Sequence, residues 1–273
     1  LLDHHNYNFT AAIPSLRALE WLQIPVIANT SKTFAEMLEL RAKLNNKHPF
    51  ITENGAAIYI PENYFSLQPQ DTHKIEVNGQ RFWLHINGKP RSHWQAVLSS
   101  QKTYYGDQYQ SFAELGDEGV QSATGLSPTD AALANTREAS EPILWHGSPK
   151  QKQQFIQSLI AADAQVLQGG RFLHLLDKQS SKGRAMQWLV ELYARQYQTP
   201  VKTIAAGDSE NDLSMLEYAD IAAVIRREDG SILDIPARTS HSKPHYTRHY
   251  QSELPGSEGW AQILQMLIEK HLN

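Results

Sequence analysis

Apolar residues recur along this chain in two rhythms. The helical rhythm, three and four residues apart, runs through 13–22, where Ile13, Leu16, Leu19, Trp21 and Leu22 share a face and Pro14 occupies the first turn. It returns over 32–44 with Phe34, Met37, Leu38 and Leu40, and over 181–197 with Met186, Leu189, Val190 and Tyr193. Largely apolar runs at 24–28, 201–206 and 221–225 predict short buried strands, and helices are predicted over 211–218 and 259–272. Strands at 50–52 and 56–60 flank Asn54-Gly55, a turn signal of the hairpin kind. Helices alternating with buried strands predict an α/β doubly wound parallel sheet.

The rhythm changes between about 61 and 165. Turn residues become dense there, at Pro61, Pro69, Asn78-Gly79, Asn87-Gly88 and Gly106-Asp107. Helices are predicted over 92–100, 128–137 and 149–162, and strands over 81–86, 141–146 and 164–168. Such a mixture predicts a separate α+β unit inserted into the α/β domain. A strand at 172–176 then marks the return to α/β, while 227–257 is polar, rich in Pro and Gly, and predicted to be mostly loop. The expected organisation is a core of 1–62 and 169–273 with an inserted unit of 63–168.

Length and composition set bounds. A chain of 273 residues suits one large or two modest domains, and an apolar share of 41% supports a packed core. The net charge of −4 gives no reason to expect nucleic acid as a partner. With no cysteine, disulfides and thiolate metal sites are excluded. No apolar run approaches the roughly 18 residues of a membrane span, and no signal peptide is visible. The expected setting is therefore cytoplasmic, without a membrane partner. The chain begins at Leu1, inside what reads as a structured segment, so preceding residues are expected in the natural protein.

Three strand ends carry candidate chemistry. The run 201–206 ends in Gly207-Asp208, with Asp212 four residues on at the start of a helix. Ligands of open α/β sheets bind beyond the carboxyl ends of the strands. Two carboxylates there suit Mg²⁺, which takes hard oxygen ligands and shares them with phosphate; the alternative is a plain helix cap by Asp208 or Ser209. Ser180-Ser181-Lys182-Gly183 sets a lysine in the first turn of a capped helix, where cation and backbone N–H groups together can hold phosphate; the alternative is a surface lysine. The run 26–33 ends in the hydroxyls of Thr30 and Ser31 before a helix, able to donate to a phosphoryl oxygen or to cap. In a doubly wound sheet the three ends can converge.

In that order, hydroxyl, lysine and acidic motif resemble motifs two, three and four of the haloacid dehalogenase-like phosphatases. Thr30 matches the hydroxyl, Lys182 the lysine, and Gly207-Asp208-Ser209-Glu210-Asn211-Asp212 the acidic motif. Within that superfamily the chain most resembles the mannosyl-3-phosphoglycerate phosphatases, through TSKT at 30–33, ENGAAIYIP at 53–61, REASEP at 137–142 and GGRFLHLLD at 169–177. The opening LLDHHNY resembles the segment immediately after the family's first motif, and the inserted unit would be the family's cap. The first motif, which supplies the nucleophilic and acid/base aspartates, is then expected upstream of Leu1.

The resemblance implies a Mg²⁺-dependent phosphomonoester hydrolase acting on a small sugar phosphate through an aspartyl-phosphate. Asp208 would ligate Mg²⁺, and Asp212 would ligate it too or orient Lys182. Lys182 would neutralise phosphoryl charge, Thr30 would donate to the same group, and Asn211 would help to hold it. Arg171 would bind the glyceryl carboxylate through its planar fork, and His174, Arg137 and Ser140 would also contact substrate. Glu53 and Asn54 would face the site from a cap hinge, while a structural role is the main expectation for Glu141. His241, His245 and His249 recur every four residues, but Pro244 interrupts the helix a metal stripe needs; His4 and His5 line the entrance or are simply exposed. Alternative substrates are glucosyl-3-phosphoglycerate or a generic hexose phosphate, and without a nucleophile the chain would be a sugar-phosphate binder. No G-x-x-x-x-G-K-[ST] supports a P-loop kinase, and no G-x-G-x-x-G follows a strand. Oligomeric state is not legible.

Overall fold

A computed structural model describes residues 9–169, 171–235 and 248–272. In chain order the elements are α1 (Ile13–Trp21), β1 (Ala28–Asn29), α2 (Phe34–Leu44), β2 (Phe50–Thr52), β3 (Ala57–Pro61), β4 (His73–Val77), β5 (Gln80–Ile86) and α3 (Arg91–Tyr105). They continue with β6 (Tyr109–Ser111), α4 (Phe112–Thr124), α5 (Pro128–Asn135), β7 (Glu141–Trp145), α6 (Pro149–Ala161), β8 (Ala164–Gln168), β9 (Leu173–Asp177) and α7 (Lys182–Tyr197). β10 (Ile204–Gly207), α8 (Leu213–Tyr218), β11 (Ile221–Arg226), β12 (Arg248–Pro255) and α9 (Gly256–Leu267) complete the set. The contacts divide the chain into two compact units, Leu1–Ile27 with Met186–Asn273, and Ala28–Ala185. Among the described residues no helix is long and apolar enough to cross a membrane.

The first unit is built on the parallel sheet β10-β11-β12. Alternate residues of β11 point to opposite faces. Ala223 and Ile225 join Leu19 of α1 and Trp260, Ile263 and Leu264 of α9, whereas Ala222 and Val224 join Met215 and Leu216 of α8. Both faces are therefore covered by helices, which explains why β10 and β11 read as largely apolar runs. β12 is the exception, because its sequence, RHYQSELP, is polar. It pairs parallel to β11 at one edge of the sheet, with Tyr250 turned into the core and His249 exposed. An edge strand tolerates polar side chains on its open side, so the expected loop over 227–257 is corrected to include a strand. His241 and His245, like His4 and His5, lie outside the described residues.

The second unit holds two sheets. In β1-β2-β3-β5-β4 only the β1–β2 pair is parallel. α2 covers this sheet with Phe34 and Met37 against Phe50, Tyr59, Phe82 and Leu84. Phe34 stacks on Tyr59 at 4.2 Å and meets Phe82 edge-on at 5.5 Å, contacts that add about 0.5–1.5 kcal/mol each beyond area burial. The other sheet, β6-β7-β9-β8, is antiparallel, and α3 and α6 cover it with Trp94, Leu98, Phe155 and Leu159. β9 thus pairs with β7 and β8, so the parallel pattern resumes at β10 and not at the strand expected near 172. Periodicity predicts neither β4 nor α4. β4 is short and exposed on alternate residues, and α4 is interrupted by Gly116 at φ 64° despite its Ser111–Glu114 capping box.

Two buried charges are handled differently. Glu141 is fully buried and receives Arg91 through Nε at 2.6 Å and a second guanidinium N–H at 3.1 Å, with the Ala113 N–H at 3.0 Å. These bonds tie β7 to α3 and to the start of α4. Arg41 is 7% exposed and forms no ion pair among the described residues. Its guanidinium lies 4.4 Å from the Phe50 centroid and donates one hydrogen bond, to the His48 carbonyl at 2.8 Å. An effective cost of several kcal/mol for a buried ion is set against about 2 kcal/mol of cation–π attraction and about 1.5–3 kcal/mol for a charged hydrogen bond. Replacing Glu141 by Ala leaves the Arg91 charge without its partner. Denaturant unfolding is expected to show a loss of about 3–5 kcal/mol; a loss within experimental error would refute the buried-pair account.

Candidate functional site

Within the unit Ala28–Ala185 three backbone segments meet. β1 delivers Thr30, whose N–H bonds the Ile51 carbonyl at 3.0 Å and whose own carbonyl accepts the Asn54 N–H at 2.9 Å. Thr30 Oγ1 accepts the Lys32 N–H at 3.2 Å, and Thr33 caps α2 in a capping box with Glu36. Asn29 donates through Nδ2 to the Lys182 carbonyl at 3.0 Å, joining the hydroxyl and lysine segments. Ser181 accepts the Arg184 N–H at 3.1 Å and so caps α7, with the buried Lys182 opening that helix. Gly55, at φ +94°, lies so close to this segment that a Cβ would stand 2.2 Å from the Ser181 carbonyl oxygen. The structure therefore gathers Thr30, Asn54 and Lys182 through their main chains.

The turn carrying Asn54 is strained. Glu53 and Asn54, neither of them glycine, have φ values of 49° and 59°, a conformation that costs each of order 1–3 kcal/mol. The Glu53 carboxylate holds it in place. It accepts the N–H groups of Glu138 at 2.8 Å, Ala139 at 3.2 Å and Ser140 at 2.8 Å, and the Ser140 hydroxyl at 2.6 Å. Arg137 stands 3.7 Å from the same carboxylate, donates to Ser140 Oγ at 3.0 Å and to the Ser31 carbonyl at 2.8 Å. Glu53, Ser140 and Arg137, expected to touch substrate, are thus occupied in bracing the Ser31 loop against residues 137–140. Asn87 adds a strap that motif reading missed. Its side chain donates to the Gly55 carbonyl at 2.9 Å, and its carbonyl accepts the Ser180 hydroxyl at 2.6 Å.

His174 sits on β9 with Nδ1 shielded from water and without a hydrogen-bond partner. Burial, then the nearby charges of Arg137 and Lys182, lower its pKa from 6.5 to about 3. A neutral imidazole beside two cations is suited to accompany an anion. Asn29 Oδ1 is likewise shielded and unpartnered. Arg171 is exposed and donates to the Ala123 carbonyl near the end of α4.

The acidic segment belongs to the other unit. Asp208 follows β10 directly, at the carboxyl end of the parallel sheet. Asp212 is buried, and its Oδ2 accepts the N–H groups of Asp208 and Ser209, each at 3.1 Å, and the Ser209 hydroxyl at 3.0 Å. Gly207 permits this fold-back, since a Cβ there would lie 2.5 Å from Asp212 Cβ. Asn211 accepts the Ser209 hydroxyl at 2.6 Å. Arg227, which no motif flagged, donates to the Asp208 carbonyl at 2.7 Å. The half-buried Asp208 carboxylate has no donor among the described residues, so its oxygens suit a hard cation. No cluster of three or more metal-ligating side chains occurs among the described residues.

Known proteins share the family and the fold of this chain. The sequence profile of the haloacid dehalogenase-like hydrolases matches residues 1–235. A glucosyl-3-phosphoglycerate/mannosyl-3-phosphoglycerate phosphatase of Methanococcoides burtonii is 34% identical over 277 aligned positions, covering 100% of this chain and 95% of that protein. A Thermoplasma acidophilum protein of known structure superposes with a TM-score of 0.62 at 16% identity, over 97% of this chain and 92% of that one. A haloacid dehalogenase-like hydrolase of Bacillus subtilis does so with 0.60 at 18%, over 98% and 96%. The two structures establish a shared fold.

Protonation of His174 is opposed in the folded protein only. The unfolded chain takes up that proton near pH 6.5, so the stability this residue contributes is full above about pH 6.5 and is lost as pH falls from there towards 3. In anion-free buffer its ring resonances are expected to stay constant down to about pH 4, and His174→Gln is expected to flatten the acid limb of the stability curve. A ring that titrates near its ordinary value contradicts this.

Proposed function

The chain belongs to the haloacid dehalogenase-like hydrolases, as a phosphatase of the glucosyl-3-phosphoglycerate/mannosyl-3-phosphoglycerate type, and we propose that its substrate is mannosyl-3-phosphoglycerate, released as mannosylglycerate and phosphate. The observation that carries this reading is the buried Lys182, flanked in charge by Arg137 and accompanied by an imidazole held neutral with Nδ1 unpartnered. Such a group suits a phosphorylated, carboxylated sugar and has no evident purpose as packing alone. Glucosyl-3-phosphoglycerate is the second reading, supported by the double name of the Methanococcoides relative.

In the proposed reaction the nucleophilic aspartate of the family's first motif attacks phosphorus, the ester P–O bond breaks, and the leaving sugar-acid oxygen takes a proton from that motif's acid/base aspartate. Water then cleaves the aspartyl-phosphate, releasing phosphate and regenerating the carboxylate. Lys182 balances charge on the equatorial oxygens, and Thr30 donates its hydroxyl to one of them. Asn54 and Asn211 hold substrate oxygens in place, Ser31 lines the hydroxyl loop, and Arg171 exchanges the Ala123 carbonyl for the glyceryl carboxylate. Glu53, Arg137 and Ser140 act by bracing. Asp208 would hold Mg²⁺, which when bound supplies Lewis-acid stabilisation of phosphoryl charge. Asp212 keeps the Asp208 backbone in place through its cap. Sheet pairing is the ground for two refinements of the proposed division into a core of 1–62 and 169–273 and a cap of 63–168: β4 and β5 pair onto β3 and go with the core, and β9 pairs with β7 and β8 and goes with the cap.

Phosphate release from mannosyl-3-phosphoglycerate, glucosyl-3-phosphoglycerate and glucose 6-phosphate, with Mg²⁺ and with chelator, tests the proposal. The two phosphoglycerates are expected to be hydrolysed faster than the hexose phosphate, and chelation is expected to stop all three. Asp208→Asn and Lys182→Ala are each expected to lower kcat by about 10²–10³ with unchanged circular dichroism. Wild-type rates in either variant would remove that residue from the site.

A further inference from the structure

Beyond the phosphatase residues, we propose that the cleft at the C-terminal end of α2 is a second binding site, for a phosphate dianion, free or carried on a small metabolite. The cleft measures about 510 Å³, within the roughly 300–1,000 Å³ of small-ligand pockets. Arg41 lines it. The residue is 7% exposed, its guanidinium donates to a single protein acceptor among the described residues, and its Nε is shut off from water with no acceptor. Burial lowers its pKa to about 10, which leaves it charged at neutral pH.

The surroundings add positive charge. Lys47 and Arg81 also line the cleft, together with one carboxylate, Glu62. Glu62 is held by Lys74 at 2.9 Å and by Arg81 at 3.4 Å. Of the three lining cations, Arg81 is paired with Glu62 and with Glu76 at 3.1 Å, which leaves Arg41 and Lys47 as the surplus charge. The carbonyls that end α2 supply at most about half a negative charge, too little to balance the surplus. The polar side chains of Asn63 and Gln80 complete a wall suited to phosphate oxygens. Phe50 and Phe82, with centroids 4.4 and 5.8 Å from the guanidinium, fix its plane. The guanidinium N–H groups left over by the His48 carbonyl can donate to phosphate oxygens. None of the residues assigned to hydrolysis lines this cleft.

Calorimetric titration of the full chain with inorganic phosphate, in Mg²⁺ buffer, tests the proposal. Two classes of binding site are expected. Lys47 is exposed and Arg81 largely so, so a Lys47→Ala/Arg81→Ala variant should fold. It is expected to weaken one class by about 10–100-fold while leaving the rate of phosphate-ester hydrolysis unchanged. Lys182→Ala is expected to weaken the other class. Arg41→Met should remove the first class and raise the melting temperature in phosphate-free buffer, because an uncompensated buried charge is gone. A parallel titration with 3-phosphoglycerate separates the sources: tighter binding at the first class than that of phosphate identifies a metabolite, equal binding identifies free phosphate. Phosphate binding untouched by Lys47→Ala/Arg81→Ala overturns the proposal. A missing Lys182-dependent class bears on the hydrolytic reading and leaves this one standing.

Discussion

The placement of the proposed phosphoryl-binding groups depends on one buried carboxylate. Glu53 is almost completely shielded from water, and it gathers three consecutive backbone N–H groups and a hydroxyl from residues 138–140. Burying an unpaired carboxylate is costly enough that a protein either satisfies it or neutralises it. Satisfying Glu53 fixes the left-handed turn at 53–55, and that turn fixes its neighbours. Asn54 is held against Thr30, and Gly55 against Ser181. Hydroxyl and lysine segments far apart in sequence are thereby set by a charge that belongs to neither.

The acidic segment repeats this arrangement on a smaller scale. Asp212 gives one oxygen to two N–H groups and a hydroxyl, which closes a turn that Gly207 alone makes sterically open. The effect is to present Asp208 at the carboxyl end of a sheet whose strands are covered on both faces. Arg227 holds the Asp208 carbonyl from the end of β11. Of two carboxylates four residues apart, one is committed to the backbone and the other is left open to a cation. A preorganised acceptor of this kind needs no rearrangement when charge arrives.

The protein also tolerates charge where no partner is given. Arg41 is stacked on aromatic rings and carries more donors than the chain satisfies, while Glu141 has each of its oxygens matched by Arg91. These two residues have similar burial and opposite fates. Their contrast is what makes the cleft beside α2 a candidate for an external anion, since the buried carboxylates Glu53, Glu141, Asp177 and Asp212 each receive two or more hydrogen bonds from the chain.

The regular parts of the fold were legible in the amino-acid order alone. Apolar period placed α1, α2, α6, α7, β5 and β11 to within a few residues, because burial of one face imposes that period directly. The ordered hydroxyl, lysine and acidic motifs pointed to the family, and Asn54-Gly55 to the turn. The polar strand β12 carries little of that imprint, and in α4 Gly116 interrupts the period of Phe112, Leu115 and Val120, so neither was visible. Strand partners were likewise settled only by the folded chain. The apolar run at β9 suits either kind of sheet, and only its hydrogen bonds to β7 and β8 assign it. The same holds for Glu53, Arg137 and Ser140. Their chemistry fits a ligand or a brace equally well, and only the folded chain brings three backbone N–H groups to Glu53 and sets Arg137 between Ser140 Oγ and the Ser31 carbonyl.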